Sequence, residues 1–187
     1  MTIEKTKPST IYCIPKNTDK NFLNADLVTQ LRKERFDDKR ILKNARLIVG
    51  CEIIDFENRF TGILDLAYKS FLLGMYYSTV SLTSLAAERL CYDLIENSEI
   101  RFGGRVLDSK QKEVLYRIPY SDILDFLYDM KVIDKKIKDN LFEINNKRHR
   151  YIHPTFKGDP MNDAVFTLNK LCETIDLILN LKRINRS

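Results

Sequence analysis

The stretch NRFTGILDLAYKSFLLGMYYSTVSLTSLAAERLCYDLIEN, residues 58–97, decides the fold. From Asn58 to Leu73 it carries Ile63, Leu64, Ala67, Phe71 and Leu72 at helical spacing. Gly74 then breaks the run. A long amphipathic helix is predicted to follow to about Asn97, because Val80, Ala87, Cys91 and Leu94 recur at intervals of seven, four and three on one stripe. Two long helices joined at a glycine suit an antiparallel pair, and the expected class is all-α.

Composition agrees. Only 6 Gly and 5 Pro among 187 residues leave little material for the many tight turns of an all-β fold. With 44% hydrophobic and 30% charged residues the chain can bury a core, and wholesale disorder is not expected. No apolar run approaches the roughly 18 residues a membrane span needs, and the opening Met1-Thr2-Ile3-Glu4-Lys5 lacks a secretory apolar region, so cytoplasm is the expected compartment. The four cysteines, Cys13, Cys51, Cys91 and Cys172, are widely scattered and form no Cys-x-x-Cys pair; Cys91 and Cys172 fall in apolar helical patterns and read as buried thiols.

Outward from the central pair, residues 1–21 read as an arm with a short strand over Ser9–Ile14, and Asn24 to about Arg35 turns helical. Asp37 and Asp38 can cap a helix through Ile41, Leu42, Ala45 and Ile48; Leu47 to Ile54 is ambiguous and leans to helix. Residues 98–118 are the most loop-like part of the C-terminal half, with Gly103-Gly104 as a turn signal and Arg101, Arg105, Lys110 and Lys112 as a solvated charged face or a flank touching nucleic acid. Helices follow from Ser121 to Met130 with Ser121 as N-cap, from Asp134 as cap towards His153, and from about Met161 to Leu181. The organisation expected is an N-terminal arm with leading helices over residues 1–56 and a helical bundle over 57–187.

Charge directs attention to one segment. Residues 1–97 hold 14 Lys and Arg against 13 Asp and Glu, whereas residues 98–187 hold 17 against 13. The excess surrounds Asn145-Asn146-Lys147-Arg148-His149-Arg150-Tyr151-Ile152-His153-Pro154, which contains both histidines of the chain. Histidine, with an ordinary pKa of about 6.5, exchanges protons near neutrality. On this helix Ile137, Leu141 and Ile144 mark the core-facing line, and Arg148 and Ile152 come next on it. An arginine on such a line must meet a carboxylate or line a cleft that takes an anion. Proline after His153 ends the helix there.

Arg148, four intervening residues, His153 and Pro154 resemble the signature of the HEPN superfamily, in which an arginine and a polar residue precede a histidine near a helix end. Gly74-Met75-Tyr76-Tyr77 opening a helix, followed by Ala86-Ala87-Glu88-Arg89-Leu90, resembles the family's surroundings, and the likeness covers roughly residues 57–182. It implies an up-and-down helical bundle with an N-terminal extension, and a metal-independent endoribonuclease of toxin or antiviral-defence type. In that chemistry one group removes the 2′-hydroxyl proton, an acid protonates the leaving oxygen, and positive charge steadies the phosphorane. His153 is then the proton-transfer residue and Arg148 the stabiliser. Two copies are expected to line one cleft as a homodimer, and an antitoxin or nucleotidyltransferase partner is admitted.

Asn145, Lys147, His149, Arg150 and Glu88 are the candidate supporting or substrate-binding residues, Glu88 as the carboxylate near Arg148. The alternative is a non-catalytic module of the same family that binds nucleotide, RNA or protein. No cofactor is expected. A metal pair at His149 and His153 finds no third ligand at a matching position, and Pro154 disturbs the second. Thr155 stands where some relatives carry a modifiable tyrosine.

Overall fold

The computed structural model describes residues 38–48, 59–152 and 158–184. Among these, the elements are α1 (Asp38–Ala45), α2 (Arg59–Leu72), α3 (Tyr76–Asn97), β1 (Arg101–Phe102), β2 (Arg105–Val106), α4 (Ser109–Leu115), α5 (Tyr120–Asp129), α6 (Lys135–Ile152) and α7 (Pro160–Ile184). The all-α expectation holds at the level of class. The readings of residues 1–21 and 24–35, of Asp37, of residues 49–54 and of Cys13, Cys51, His153, Pro154 and Thr155 fall outside the described residues.

α2 and α3 form the most extensive interface. α3 also packs on α7 and α6, α6 packs on α7, α5 lies on α6, and α1 lies on α2. The stripe read from sequence is the buried one: Val80, Ala87, Cys91 and Leu94 on α3 meet Leu64, Ala67 and Phe71 of α2 and Leu168, Leu171 and Ile175 of α7 in one core. Burying each large aliphatic side chain stabilises by about 1.5–3 kcal/mol, so this periodicity outweighs any local preference. Cys91 and Cys172 are both buried thiols, touching Tyr120 and Tyr68 respectively. No helix among the described residues is long and apolar enough to cross a membrane.

The break at Gly74 has a definite form. Gly74 takes a φ of +79°, its N–H donates to Phe71 O at 2.9 Å, and Met75 N–H donates to Ser70 O at 2.8 Å. These two bonds close α2 in a Schellman motif, which places glycine in the left-handed position. Buried Asn44 of α1 completes the closure, its amide donating to Phe71 O at 2.9 Å and Leu72 O at 3.3 Å while its carbonyl accepts the Tyr76 hydroxyl at 3.1 Å.

Three local expectations need correction. Residues 98–118 are not simply a loop: a hairpin and α4 occupy them, because Asp108 and Gln111 form a reciprocal capping box that starts a helix. Ser121 does not cap α5. The helix begins at Tyr120 after Pro119, whose φ of −55° already suits a helical start, and the Ser121 hydroxyl bonds Asp122 instead. α1 ends at Ala45, so Leu47 and Ile48 lie in a turn and its exit rather than in a continuing helix. Asp134 does cap α6, accepting the Ile137 N–H at 2.8 Å.

Candidate functional site on the last turns of α6

Ile137, Leu141 and Ile144 hold α6 to the core, and the same line leads to Arg148. There the surface opens: 39% of the Arg148 side chain meets solvent. Its Nη1 lies 4.0 Å from Oε2 of Glu88 on α3, a long ion pair that leaves other N–H donors of the fork unengaged by that carboxylate. The other Glu88 oxygen accepts the Tyr92 hydroxyl at 2.9 Å. Burial, and then this hydrogen bond to a carboxylate, push the Tyr92 phenol up to about 12.

Tyr92 begins a strip running along α3. Its ring meets Tyr116 edge-on at 4.9 Å, the Arg89 guanidinium stands 5.6 Å from its centroid, and the Tyr116 hydroxyl donates to Glu96 Oε1 at 2.9 Å. Glu88, Tyr92 and Glu96 follow each other at steps of four, one helical face.

A second line on α6 turns towards α7. Lys147 pairs with buried Asp163 in the first turn of α7, and Tyr151, one turn on, donates its hydroxyl to the other oxygen of the same carboxylate at 2.6 Å. Asp163 is well placed there, since a helix N-terminus favours a carboxylate. Lys147 also lies 5.0 Å from the Phe166 ring centroid. Burial first, and then the bond to Asp163, raise the Tyr151 phenol far above the usual tyrosine range. The Tyr151 ring meets Tyr77 edge-on at 5.2 Å, and Tyr77, Ser78, Ser81, Leu82 and Tyr151 border a shallow groove of about 480 Å³.

The structure therefore brings Arg148 and Glu88 together, and pairs Lys147 with Asp163. Asn145 is half-buried, whereas His149 and Arg150 are exposed; none of these three makes a side-chain hydrogen bond or ion pair with another described residue. His153, next after Ile152, lies outside the described residues. Among those described, no three His, Cys, Asp or Glu side chains group so as to hold a metal ion.

Sequence reasoning missed Tyr151, Asp163, Tyr92 and Tyr116. The four-residue rhythm of Glu88, Tyr92 and Glu96 was an available signal for the strip. Nothing local signals that Asp163 meets α6, because that contact exists only once α7 folds back. Compared with protein-family models, curated proteins and solved structures, the chain matches none of them.

Proposed function

We propose that this protein is a metal-independent endoribonuclease of the HEPN type, acting as toxin or antiviral-defence effector, with Arg148 and His153 of two copies lining one cleft. The observation that carries the reading is the partly exposed side chain of Arg148, on a helix line whose Ile137, Leu141 and Ile144 are buried and with its carboxylate neighbour 4.0 Å away. A guanidinium beside a carboxylate but not hydrogen-bonded to it retains donors for a phosphate oxygen. His153, by sequence and family resemblance, supplies proton transfer. His149, Arg150 and Asn145, with no partners among the described residues, are available to substrate or to the second copy.

The test is incubation of purified protein with RNA in EDTA, beside Arg148→Ala and His153→Ala. The expected result is cleavage by wild type to a 2′,3′-cyclic phosphate and a 5′-hydroxyl, and a loss of roughly 10²–10³ in rate for Arg148→Ala. A second reading, a non-catalytic module of the same family that binds nucleotide, RNA or protein, draws support from Glu88, which already offsets part of the Arg148 charge. Intact RNA in every sample, with all variants still dimeric, would favour it.

A further inference from the structure

The hairpin between α3 and α4 is a short finger. β1 and β2 pair antiparallel, Arg101 opposite Val106 and Phe102 opposite Arg105. Gly103 and Gly104 turn the chain with φ of +59° and +80°, two successive positive values that define a type I′ turn. Its base is pinned. Leu107 N–H donates to the carbonyl of buried Ile100 at 2.9 Å, the Lys112 ammonium donates to Ser98 O at 2.8 Å and Glu96 O at 3.0 Å, and the Asp108 capping box fixes the exit.

On this fixed base the tip is bare. All six residues from Arg101 to Val106 are exposed, and 63% of Phe102 meets solvent. Residues directly opposite in an antiparallel pair share a face, so Phe102 and Arg105 project together. Arg101 is held by Glu99 at 2.8 Å, but Arg105 makes no hydrogen bond or ion pair with another described residue. No carboxylate stands between Ile100 and Leu107.

We propose that this finger binds single-stranded RNA, Phe102 stacking on an unpaired base while the Arg105 guanidinium takes the adjoining phosphate. Aromatic faces accept bases of any sequence, and neighbouring arginines follow the backbone. An apolar partner would suit Phe102 alone; the uncommitted cation beside it selects a polyanion. The choice of a single strand follows from stacking, since a duplex hides its base faces. From Glu88 to Ser98 is ten residues, about 15 Å of helix axis, so one strand can touch both the finger and Arg148. The choice of RNA rests on the ribonuclease reading, whereas the finger's geometry involves neither Arg148 nor His153.

The experiment is fluorescence anisotropy of a short labelled single-stranded RNA with full-length wild type, Phe102→Ala, Arg105→Lys and Arg105→Glu, with cleavage followed in the same samples. Phe102→Ala should raise Kd about tenfold. Arg105→Glu should raise it further and flatten the salt dependence, with Arg105→Lys between. Melting curves should stay unchanged, because both side chains are exposed. Binding that depends on Phe102, with no cleavage, would support the finger and count against the nuclease. Equal Kd for wild type and Phe102→Ala, alongside cleavage, would sink the finger and leave the nuclease standing. No RNA binding by wild type also overturns it, as does Phe102-dependent sedimentation with phosphatidylserine vesicles while RNA binding is unaffected.

Discussion

Tyr151 donates its hydroxyl to Asp163 at 2.6 Å, and the ammonium of Lys147 pairs with the same carboxylate. One acidic side chain at the start of α7 thus gathers two side chains from successive turns of α6. Removing it leaves Lys147 and the Tyr151 hydroxyl without that acceptor in a mostly buried setting. Asp163→Ala should therefore destabilise by about 2–4 kcal/mol in urea denaturation. Adding Lys147→Met should recover part of the loss, because the stranded charge goes. A loss below about 0.5 kcal/mol for Asp163→Ala would mark the cluster as an ordinary surface contact.

Two helices end in the same motif with different residues. Gly74 closes α2 at φ +79°, and Lys131 closes α5 at φ +58°, with Val132 N–H donating to Leu127 O at 2.9 Å. A left-handed backbone costs a residue with a Cβ about 1–2 kcal/mol. Lys131→Gly should then stabilise by about 0.5–1 kcal/mol. Gly74→Ala should destabilise by about 1–2 kcal/mol, since an added Cβ would also lie 3.2 Å from Arg40 Cδ. Thermal melts of the two variants should shift in opposite directions.

Alkaline pH should unfold the protein earlier than its charge alone would suggest. Burial raises the Cys91 thiol to about 12, and burial with hydrogen bonds to Glu88 and Glu96 raises Tyr92 and Tyr116 to about 12. In the unfolded chain these groups ionise near 9 and 10. Because the folded values are raised, their contribution is complete below about pH 9 and declines as pH climbs towards 12. Circular-dichroism melts at stepped pH should show that decline, and Tyr92→Phe with Tyr116→Phe should make it shallower. A wild-type melting temperature unchanged between pH 9 and 12 would contradict this assignment.

Glu88 stands 4.0 Å from the Arg148 guanidinium, and its charge can be removed while its shape is kept. Glu88→Gln keeps the shape and a hydrogen-bond acceptor for Tyr92 but weakens the hold on the guanidinium. On the proposed ribonuclease reading, RNA cleavage should fall about tenfold, less than for Arg148→Ala. Cleavage equal to wild type would show that Arg148 needs no such partner.

What sequence alone reveals here follows the range of the forces involved. The central helices were legible because their apolar residues repeat over many turns, from Ile63 to Leu94, and only a helix satisfies that rhythm. Asp134 was legible as a cap because its carboxylate accepts an N–H only three residues ahead, that of Ile137. The hairpin was not: strands of two residues have no period to read, and Gly103-Gly104 announces only a turn. The line Ile137, Leu141, Ile144, Arg148 picked out the arginine, since an internal charge on a core line is conspicuous. The tie between Tyr151 and Asp163 depends on α7 returning along α6, which no local pattern encodes.

Asn44 bears on where this chain can be cut. Its amide closes carbonyls of α2, and Ile41, Ala45 and Ile48 around it are buried in the shared core. A fragment trimmed to start just before α2 would leave an apolar scar and two carbonyls deprived of that amide, inviting aggregation. A piece cut for expression or fusion should therefore keep α1 and begin no later than Asp38.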